Sequence, residues 1–189
     1  MMKKVFILLI SVLSLSAMEP LVSGEWVLKH SNDTNLVILD VSSEDAFNDG
    51  HIPNAVQSGL KKWREAKGKS AYKIRPTKDI ELEIRRLGIN HDSNVVVYSH
   101  NLNPIDLLTA PYIVWALEYF GLQNVAMLDA GMKSYTEAGG KLTDKTITPQ
   151  EGNFKANINS TMIIDMENVK KSIGKIKMVD SRPAKYYFS

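Results

Sequence analysis

The side chains with the clearest chemical potential follow three short apolar runs. Asp40 ends LVILD, Ser99 and His100 follow VVVY, and Asp129 ends VAMLD. Such runs are typical of buried strands in a parallel sheet. Ligands of these sheets bind in the loops at the carboxyl ends of the strands. The sequence therefore places its candidate site in the loops that begin at Ser42, Ser99 and Ala130.

The chain offers no convincing nucleophile at this edge. It contains no cysteine, which excludes thiolate catalysis, thiolate zinc sites and disulfides. Ser99 is a poor replacement for a cysteine nucleophile, even with His100 as its base. Adjacent residues at a strand end point to opposite faces, so the two side chains are badly placed to share a proton. The flanking residues also lack a G-x-S-x-G elbow. We therefore predict no catalytic residue, with Ser99 inert.

The other polar candidates suit structural roles. His51 precedes Ile-Pro53, and we expect it to close a tight turn by bonding backbone groups. Asp40 and Asp129 suit capping or turn roles at least as well as a position facing a cleft. The remaining histidines are scattered: His30, His91 and His100. Their spacing fits no metal site, and neither a metal nor a cofactor is expected.

Strand and helix patterns alternate along residues 22–140. The predicted elements are a helix over 22–30 capped by Ser23, a strand over 36–41, a helix within 42–50, a turn and short strand over 51–57, a helix over 76–88, a strand over 95–99, a helix over about 107–120, a strand within 125–131, and a helix that fades by 140. This alternation predicts an α/β fold, with a parallel sheet covered by helices on both faces.

The first residues have the layout of a secretory signal peptide. Lys3 and Lys4 precede an uncharged run from Val5 to Ala17, and small residues end it. This run is shorter than the roughly 20 residues of a membrane anchor. We predict export, cleavage near Ala17 and a periplasmic location, with no membrane partner after cleavage. The remaining 21 basic and 21 acidic residues cancel, so no nucleic-acid partner is predicted.

The end of the chain repeats its beginning. LDVSSEDAF (39–47) aligns with VDSRPAKYY (179–187), 140 residues later. A polar stretch from Lys141 precedes this second copy, with a short predicted helix at MENVKKSIG and a predicted strand at KMVDS. A repeat that breaks off in its first loop predicts a missing second half.

These features resemble the rhodanese-like family. The residues that match its D-x-R-x(4)-[FY]-x-x-G-H-I-P-x-A signature are Asp40, Phe47, Gly50, His51, Ile52, Pro53 and Ala55. YSHN falls at the family's active loop, and LDAG, which contains Asp129 and Gly131, resembles its LDGG segment. The order of helix, LGI and VVVY is similar to the first domain of tandem thiosulfate and 3-mercaptopyruvate sulfurtransferases. After the predicted signal peptide (1–17), the resemblance implies a rhodanese-like domain (22–143), an interdomain linker (144–174) and the truncated start of a second domain (175–189).

The resemblance implies a role in sulfur transfer without catalysis by this chain. In the family, a loop cysteine takes a sulfane sulfur from thiosulfate or 3-mercaptopyruvate and passes it to a thiophilic acceptor. In tandem members this cysteine normally lies in the second domain. Ser99 occupies the equivalent position here, which implies a silent N-terminal half. The sulfur-donor anion would bind only in the intact protein, whose missing second domain is the expected partner, in cis or in trans.

Several residues depart from the family pattern. Ser42 replaces the arginine of the first motif, although Arg182 retains it in the second copy. The SHNLNPIDLL loop is apolar and lacks glycine, and Tyr112 stands near a usual arginine. These departures argue against an oxyanion pocket. Three alternatives remain open: a non-catalytic binding module, assembly in trans with a separately encoded catalytic half, and a decayed gene.

Overall fold

The computed structural model describes residues 18–67 and 70–187 of the 189-residue chain. The signal peptide predicted for residues 1–17 lies outside these described residues. The described strands are β1 (Leu21–Val22), β2 (Leu36–Asp40), β3 (Val56–Gln57), β4 (Arg64–Lys67), β5 (Ser70–Ile74), β6 (Asn94–Tyr98) and β7 (Val125–Leu128). Five of them form a parallel sheet in the order β1-β7-β6-β2-β3. The predicted parallel sheet is therefore confirmed.

Four of the seven described α-helices begin at side-chain caps. The seven helices are α1 (Gly24–His30), α2 (Glu44–Asp49), α3 (Thr77–Arg86), α4 (Pro104–Tyr119), α5 (Met132–Glu137), α6 (Met166–Ser172) and α7 (Ala184–Tyr187). Ser23 caps α1, as predicted, by accepting a hydrogen bond from the Trp26 amide. Helix α4 starts earlier than predicted, because Asn103 caps it and Pro104 suits the first helical position. Across the described ranges, no helix is both long and apolar enough to cross a membrane.

Strand alternation divides the core into two layers. Leu39, Val95 and Val97 pack on one side of the sheet, in a cluster that includes Ile84 of α3 and Ile113 of α4. Their neighbours along the strands point to the other side, where they pack against α1, α2 and α5; these are Ile38, Val96 and Tyr98. Helices cover both faces, as the alternation of elements predicted.

Strands β4 and β5 form an antiparallel hairpin outside the main sheet. This hairpin was not predicted from the sequence. Its segments, REAK and SAYKI, carry charged residues and small residues that obscure any apolar alternation. The hairpin lies between β3 and α3 in the chain, next to the carboxyl ends of the sheet strands.

The polar stretch after α5 follows the surface of the domain without forming a helix or strand up to residue 159. Thr143 exchanges two backbone hydrogen bonds with His51, each 2.9 Å long. Phe154 is buried in the core, at 1% exposure. Gly152 donates its amide to Arg85 O at 2.8 Å, and a side chain at this glycine would overlap Ile89. This part of the predicted linker is thus attached to the first domain.

The strand predicted at KMVDS does not form, and this prediction was wrong. Residues 177–181 have no strand partner in the described part of the chain. Val179 is 85% exposed, whereas its counterpart Leu39 in the central sheet is completely buried. A strand needs neighbours to pair its backbone groups, and the apolar pattern alone cannot supply them.

The local geometry of the repeat nevertheless persists. Asp180 Oδ1 accepts a hydrogen bond from the Arg182 amide at 2.9 Å. Asp40 Oδ1 accepts one from the Ser42 amide at the same distance, 140 positions earlier. Helices α1 and α6 also have seven residues each, and each begins at a side-chain cap. The two segments therefore share local structure as well as sequence.

Candidate functional site

Three loops meet at the carboxyl edge of the sheet, as the sequence predicted. The His100 amide donates to Ser42 Oγ at 2.9 Å, joining the loops after β6 and β2. The Met132 amide donates to Ser99 O at 3.1 Å, and Asn101 Nδ2 donates to Ala130 O at 3.1 Å. The loops after β2, β6 and β7 therefore form one hydrogen-bonded unit.

Asp40 is the centre of this unit. Its Oδ2 lies 2.9 Å from His100 Nε2, and its Oδ1 accepts the Ser42 amide. Both side chains of the Asp40–His100 pair are buried, with 0% and 4% exposure. A buried carboxylate is costly unless it is hydrogen-bonded and paired. A turn role for Asp40 was predicted from the sequence, but His100 was not predicted as its partner, because the two residues lie 60 positions apart.

Tyr98 completes the buried polar core of the site. Its hydroxyl oxygen accepts a hydrogen bond from the Ile52 amide at 3.0 Å. Burial raises the pKa of Tyr98, and the nearby Asp40 carboxylate raises this pKa further. The phenol is therefore neutral at any ordinary pH and cannot act as a general base there.

Ser99 is the first residue after β6. Its Oγ–H contacts two acceptors, Asn101 Oδ1 at 2.7 Å and Asp106 O at 3.0 Å. The residue is only 1% exposed. His100 points instead to Asp40, so Ser99 and His100 do not form a nucleophile–base pair. Oxygen acceptors around Ser99 Oγ would repel an anion, whereas stabilisation of a thiolate requires donors or positive charge.

His51 is held by backbone groups. Its Nδ1 lies 2.8 Å from Phe47 O, and its Nε2 lies 3.3 Å from Lys145 O. The ring stacks on Phe47, with 3.7 Å between centroids. Pro53 follows within the turn that leads to β3. This geometry agrees with the turn-closing role predicted for His51.

Asp129 and Gly131 form the third corner of the site. The Asp129 amide donates to Val22 O at 2.9 Å, while the residue itself is exposed. Gly131 has φ of 60°, in the left-handed region. A side chain at Gly131 would overlap the Ser99 carbonyl and the Asn101 amide. Glycine is therefore needed for the close approach between the β7 loop and the β6 loop.

A surface crevice of about 640 Å³ opens beside this hydrogen-bonded unit. Its lining includes the cationic residues Lys61, Lys62 and Arg64 and the acidic residues Glu44, Asp45 and Asp106. The cationic residues were not predicted as part of a site, although the density of lysine and arginine in residues 61–78 was a visible signal. Among the described residues, no group of three or more histidines and acids is arranged to hold a metal ion.

Comparison with known proteins assigns the family. The model of the rhodanese-like domain matches residues 23–138. The chain is 31% identical to a putative thiosulfate sulfurtransferase of Synechococcus elongatus over 163 residues, which are 86% of this chain and 50% of that protein. It is 27% identical to the thiosulfate sulfurtransferase of Gallus gallus, covering 87% of this chain and 61% of the relative.

Solved structures show the same fold. The crystal structure of SseA from Escherichia coli, a 3-mercaptopyruvate sulfotransferase, matches with a TM-score of 0.77 and 23% identity. The match covers 89% of this chain and 67% of that one. The chain thus spans about half to three fifths of the length of the curated relatives it matches. On the domain match and the shared fold, this chain belongs to the rhodanese-like family and is homologous to sulfurtransferases.

Proposed function

We propose that this chain is the non-catalytic N-terminal half of a tandem sulfurtransferase. The intact protein would transfer sulfane sulfur from thiosulfate or 3-mercaptopyruvate to a thiophilic acceptor. Curated relatives with those two donors in their names support this substrate class. The partial coverage of those relatives supports the tandem arrangement.

One observation carries the claim that this half is silent. Ser99 occupies the loop position at which the family's catalytic cysteine would stand, and its Oγ is surrounded by oxygen acceptors. A serine hydroxyl is not ionised near neutral pH and cannot carry a persulfide. No cysteine elsewhere in the chain can replace it.

The repeat supports a second rhodanese-like domain as the partner. Asp180 and Arg182 repeat the local turn of Asp40 and Ser42. The exposed apolar residues near them, Met178 and Val179, correspond to Ile38 and Leu39 of the central sheet. A second sheet, in cis or in trans, would bury them as the first sheet buries their counterparts. No nucleic-acid or membrane partner is part of this proposal.

Export is a separate proposal. The charged start, the uncharged run and the small residues of positions 1–17 support cleavage near Ala17 and a periplasmic location. The intact mass of the protein purified from its native cells tests it. A mass that corresponds to a chain starting at Met18 supports export. A mass that corresponds to a chain starting at Met1 contradicts it.

Sequencing the gene past codon 189 tests the tandem proposal. A continuation with a G-H-I-x-G-A-like stretch and a later cysteine loop, in this frame or one base away, is the expected result. A stop codon after Ser189, with no rhodanese-like sequence downstream or elsewhere in the genome, would contradict it. A non-catalytic binding module would then be the better reading, and the crevice beside the three loops is the feature that favours it.

A further inference from the structure

Strand β1 is one of the two edges of the five-stranded sheet, and its outer side is open. The Met127 amide donates to Pro20 O and the Asp129 amide donates to Val22 O, both at 2.9 Å. The carbonyls on either side of Leu21 therefore face β7. Because backbone groups alternate in direction along a strand, the N–H and C=O of Leu21 point away from the sheet.

The opposite edge of the sheet is covered. Arg86 Nη2 donates to Gln57 O at 3.0 Å and so occupies the backbone acceptor that β3 presents outward. No side chain in the described ranges covers the Leu21 backbone in this way. Proteins commonly blunt or cover edge strands, because unpaired backbone groups accept a further strand. Since β1 has two residues, a partner there would also need contacts with side chains.

Two grooves flank β1, one on each face of the sheet. The groove on the α4 face has a volume of about 260 Å³ and is lined in part by Val114 and Trp115. The groove on the α1 face has a volume of about 410 Å³ and is lined in part by Met18 and Trp26. Leu21, which is 53% exposed, lines both. A strand added beside β1 would place alternate side chains in the two grooves.

The charged residues of the two grooves are acidic. Their linings include Glu19 and Glu118 but no lysine or arginine. Neither carboxylate has an ion-pair partner among the residues that the structure describes. His30 stacks on Trp26, with 4.3 Å between ring centroids, but its Nδ1 is already paired with Asp33. Charge complementarity with this edge therefore requires basic side chains on the partner.

We propose that the β1 edge binds an extended segment of a separate protein, in which consecutive apolar residues are flanked by basic residues. The segment would add a strand beside β1. The Leu21 N–H would donate to one of its carbonyls, and the Leu21 carbonyl would accept one of its amides. Its apolar side chains would enter the two grooves, and its basic residues would pair with Glu19 and Glu118. This binding does not depend on sulfur transfer.

The same charges disfavour a second copy of this chain as the occupant. Two copies paired through β1 would bring Glu19 and Glu118 of each molecule to one interface, where like charges repel. The second domain of the proposed tandem protein is also a poorer candidate. Its first segment, residues 177–181, would be paired within a sheet of its own.

Fluorescence anisotropy with a labelled peptide of about eight residues tests the proposal. Its central valines and isoleucines lie between two lysines at each end, and a matched peptide has glutamates in place of the lysines. The protein is the purified chain that begins at Met18, at physiological salt. We expect saturable binding of the lysine peptide, and binding of the glutamate peptide that is weaker by at least about tenfold.

Paired variants test the role of the two glutamates. Glu19→Gln combined with Glu118→Gln should weaken binding of the lysine peptide by about fivefold, as the loss of two exposed ion pairs does. The control is Glu44→Gln combined with Asp144→Asn. It makes the same change in net charge at exposed positions on the β2–β3 side of the sheet. We expect the control to retain binding within about twofold, and circular dichroism to show that both variants are folded. Equal losses in both variants would overturn the proposal.

N-methylation of the lysine peptide tests the strand geometry without changing the protein. Two peptides each carry one N-methyl group, on adjacent central amides, of which only one can face Leu21 in an added strand. We expect one methyl group to weaken binding by about tenfold and the other to change it by less than about twofold. Equal effects of the two methyl groups would overturn the proposal.

Three further outcomes would contradict it. Absence of saturable binding to the wild-type chain would exclude the β1 edge as a site for such a segment. Equal affinity for the lysine and glutamate peptides would show that the chemistry assigned to the partner is wrong. A dimer of the chain, seen by light scattering and dissociated by the lysine peptide, would identify a second copy as the occupant.

Discussion

The carboxylate of Asp40 lies 2.9 Å from the imidazole of His100, and this contact joins the ends of the neighbouring strands β2 and β6. The pair is almost completely inaccessible to water. It fixes the start of the loop that carries Ser99, while His100 cannot serve Ser99 as a base. Asp40 and His100, which are candidate chemical groups by residue type, thus hold the loop in place.

Removing Asp40 should destabilise the domain. In Asp40→Ala, the Ser42 amide and His100 Nε2 both lose their acceptor in a buried site. We expect the free energy of unfolding to fall by about 3 kcal/mol, as for other broken buried pairs. Urea unfolding measures the change. Asp129→Ala is the control, since Asp129 is exposed at the next strand end, and a loss as large in this control would show that the effect is not specific to the pair.

Introducing a thiol at Ser99 should not create a reactive cysteine. In Ser99→Cys the thiol would be buried and would face Asn101 Oδ1 and Asp106 O. These acceptors favour the protonated thiol over the thiolate. We expect native-state alkylation by iodoacetamide at least about tenfold slower than for the exposed control Ser160→Cys, because reactivity follows thiolate content and access. Rapid alkylation, or a persulfide formed from thiosulfate, would contradict this account of the loop.

Gly131, the glycine of the LDAG segment, should be required for two reasons. Its φ is positive, and a side chain at this position would overlap neighbouring atoms. Gly131 and Gly139 both have positive φ, of 60° and 89°. An added methyl group meets nothing within 4 Å at Gly139 but overlaps Ser99 and Asn101 at Gly131. Gly139→Ala should therefore cost about 1–2 kcal/mol for the left-handed backbone alone. Gly131→Ala should cost clearly more in thermal or urea unfolding, both because of these overlaps and because its ψ of −148° lies in a region that glycine alone adopts readily. Equal costs would argue against close packing of the two loops.

Glu83 should make part of the stability dependent on pH. Burial alone would raise the pKa of Glu83, but hydrogen bonds from Arg86 and Ser58, with the charges of Arg86 and Lys62, hold the pKa below its usual value. A carboxylate with a lowered pKa stabilises the folded state above the unfolded-state pKa, about 4.3. This contribution is lost as the pH falls through the folded-state pKa.

The measurement is urea unfolding between neutral pH and the acid limit of folding. Glu83→Gln should be less stable than wild type at neutral pH, and the difference should shrink as the pH falls below the usual glutamate range. Glu118→Gln, at an exposed position on α4, is the control and should follow the wild-type profile. A constant difference at every pH would mean that Glu83 contributes through packing alone.

Local signals predicted much of this fold. The apolar runs ending at Asp40, Tyr98 and Leu128 became the strands that carry the candidate site. Ser23 caps a helix as expected, and the helix predicted within 42–50 ends at Asp49. Each of these features depends on residues close together in the sequence, so the pattern alone was sufficient.

Contacts between distant residues could not be read in the same way. The Asp40–His100 pair needs β2 and β6 to be neighbours, which no local pattern specifies. The β4–β5 hairpin was missed because its strands are charged, and the strand predicted at 177–181 failed because it has no neighbour to pair with. The strands that carry the candidate site could thus be predicted from local sequence patterns. The contacts within the site join residues that are distant in the sequence and could not be predicted in this way.

Thiocyanate formation from thiosulfate and cyanide, measured with the purified chain and without added cofactors, tests the central claim most directly. We predict no rate above that of buffer alone, because the chain lacks a cysteine and Ser99 cannot carry sulfur. An active tandem sulfurtransferase, assayed alone and mixed with this chain, controls for the assay and for inhibitors. Thiocyanate production that rises in proportion to the amount of this chain, and persists through a further purification step, would contradict the account.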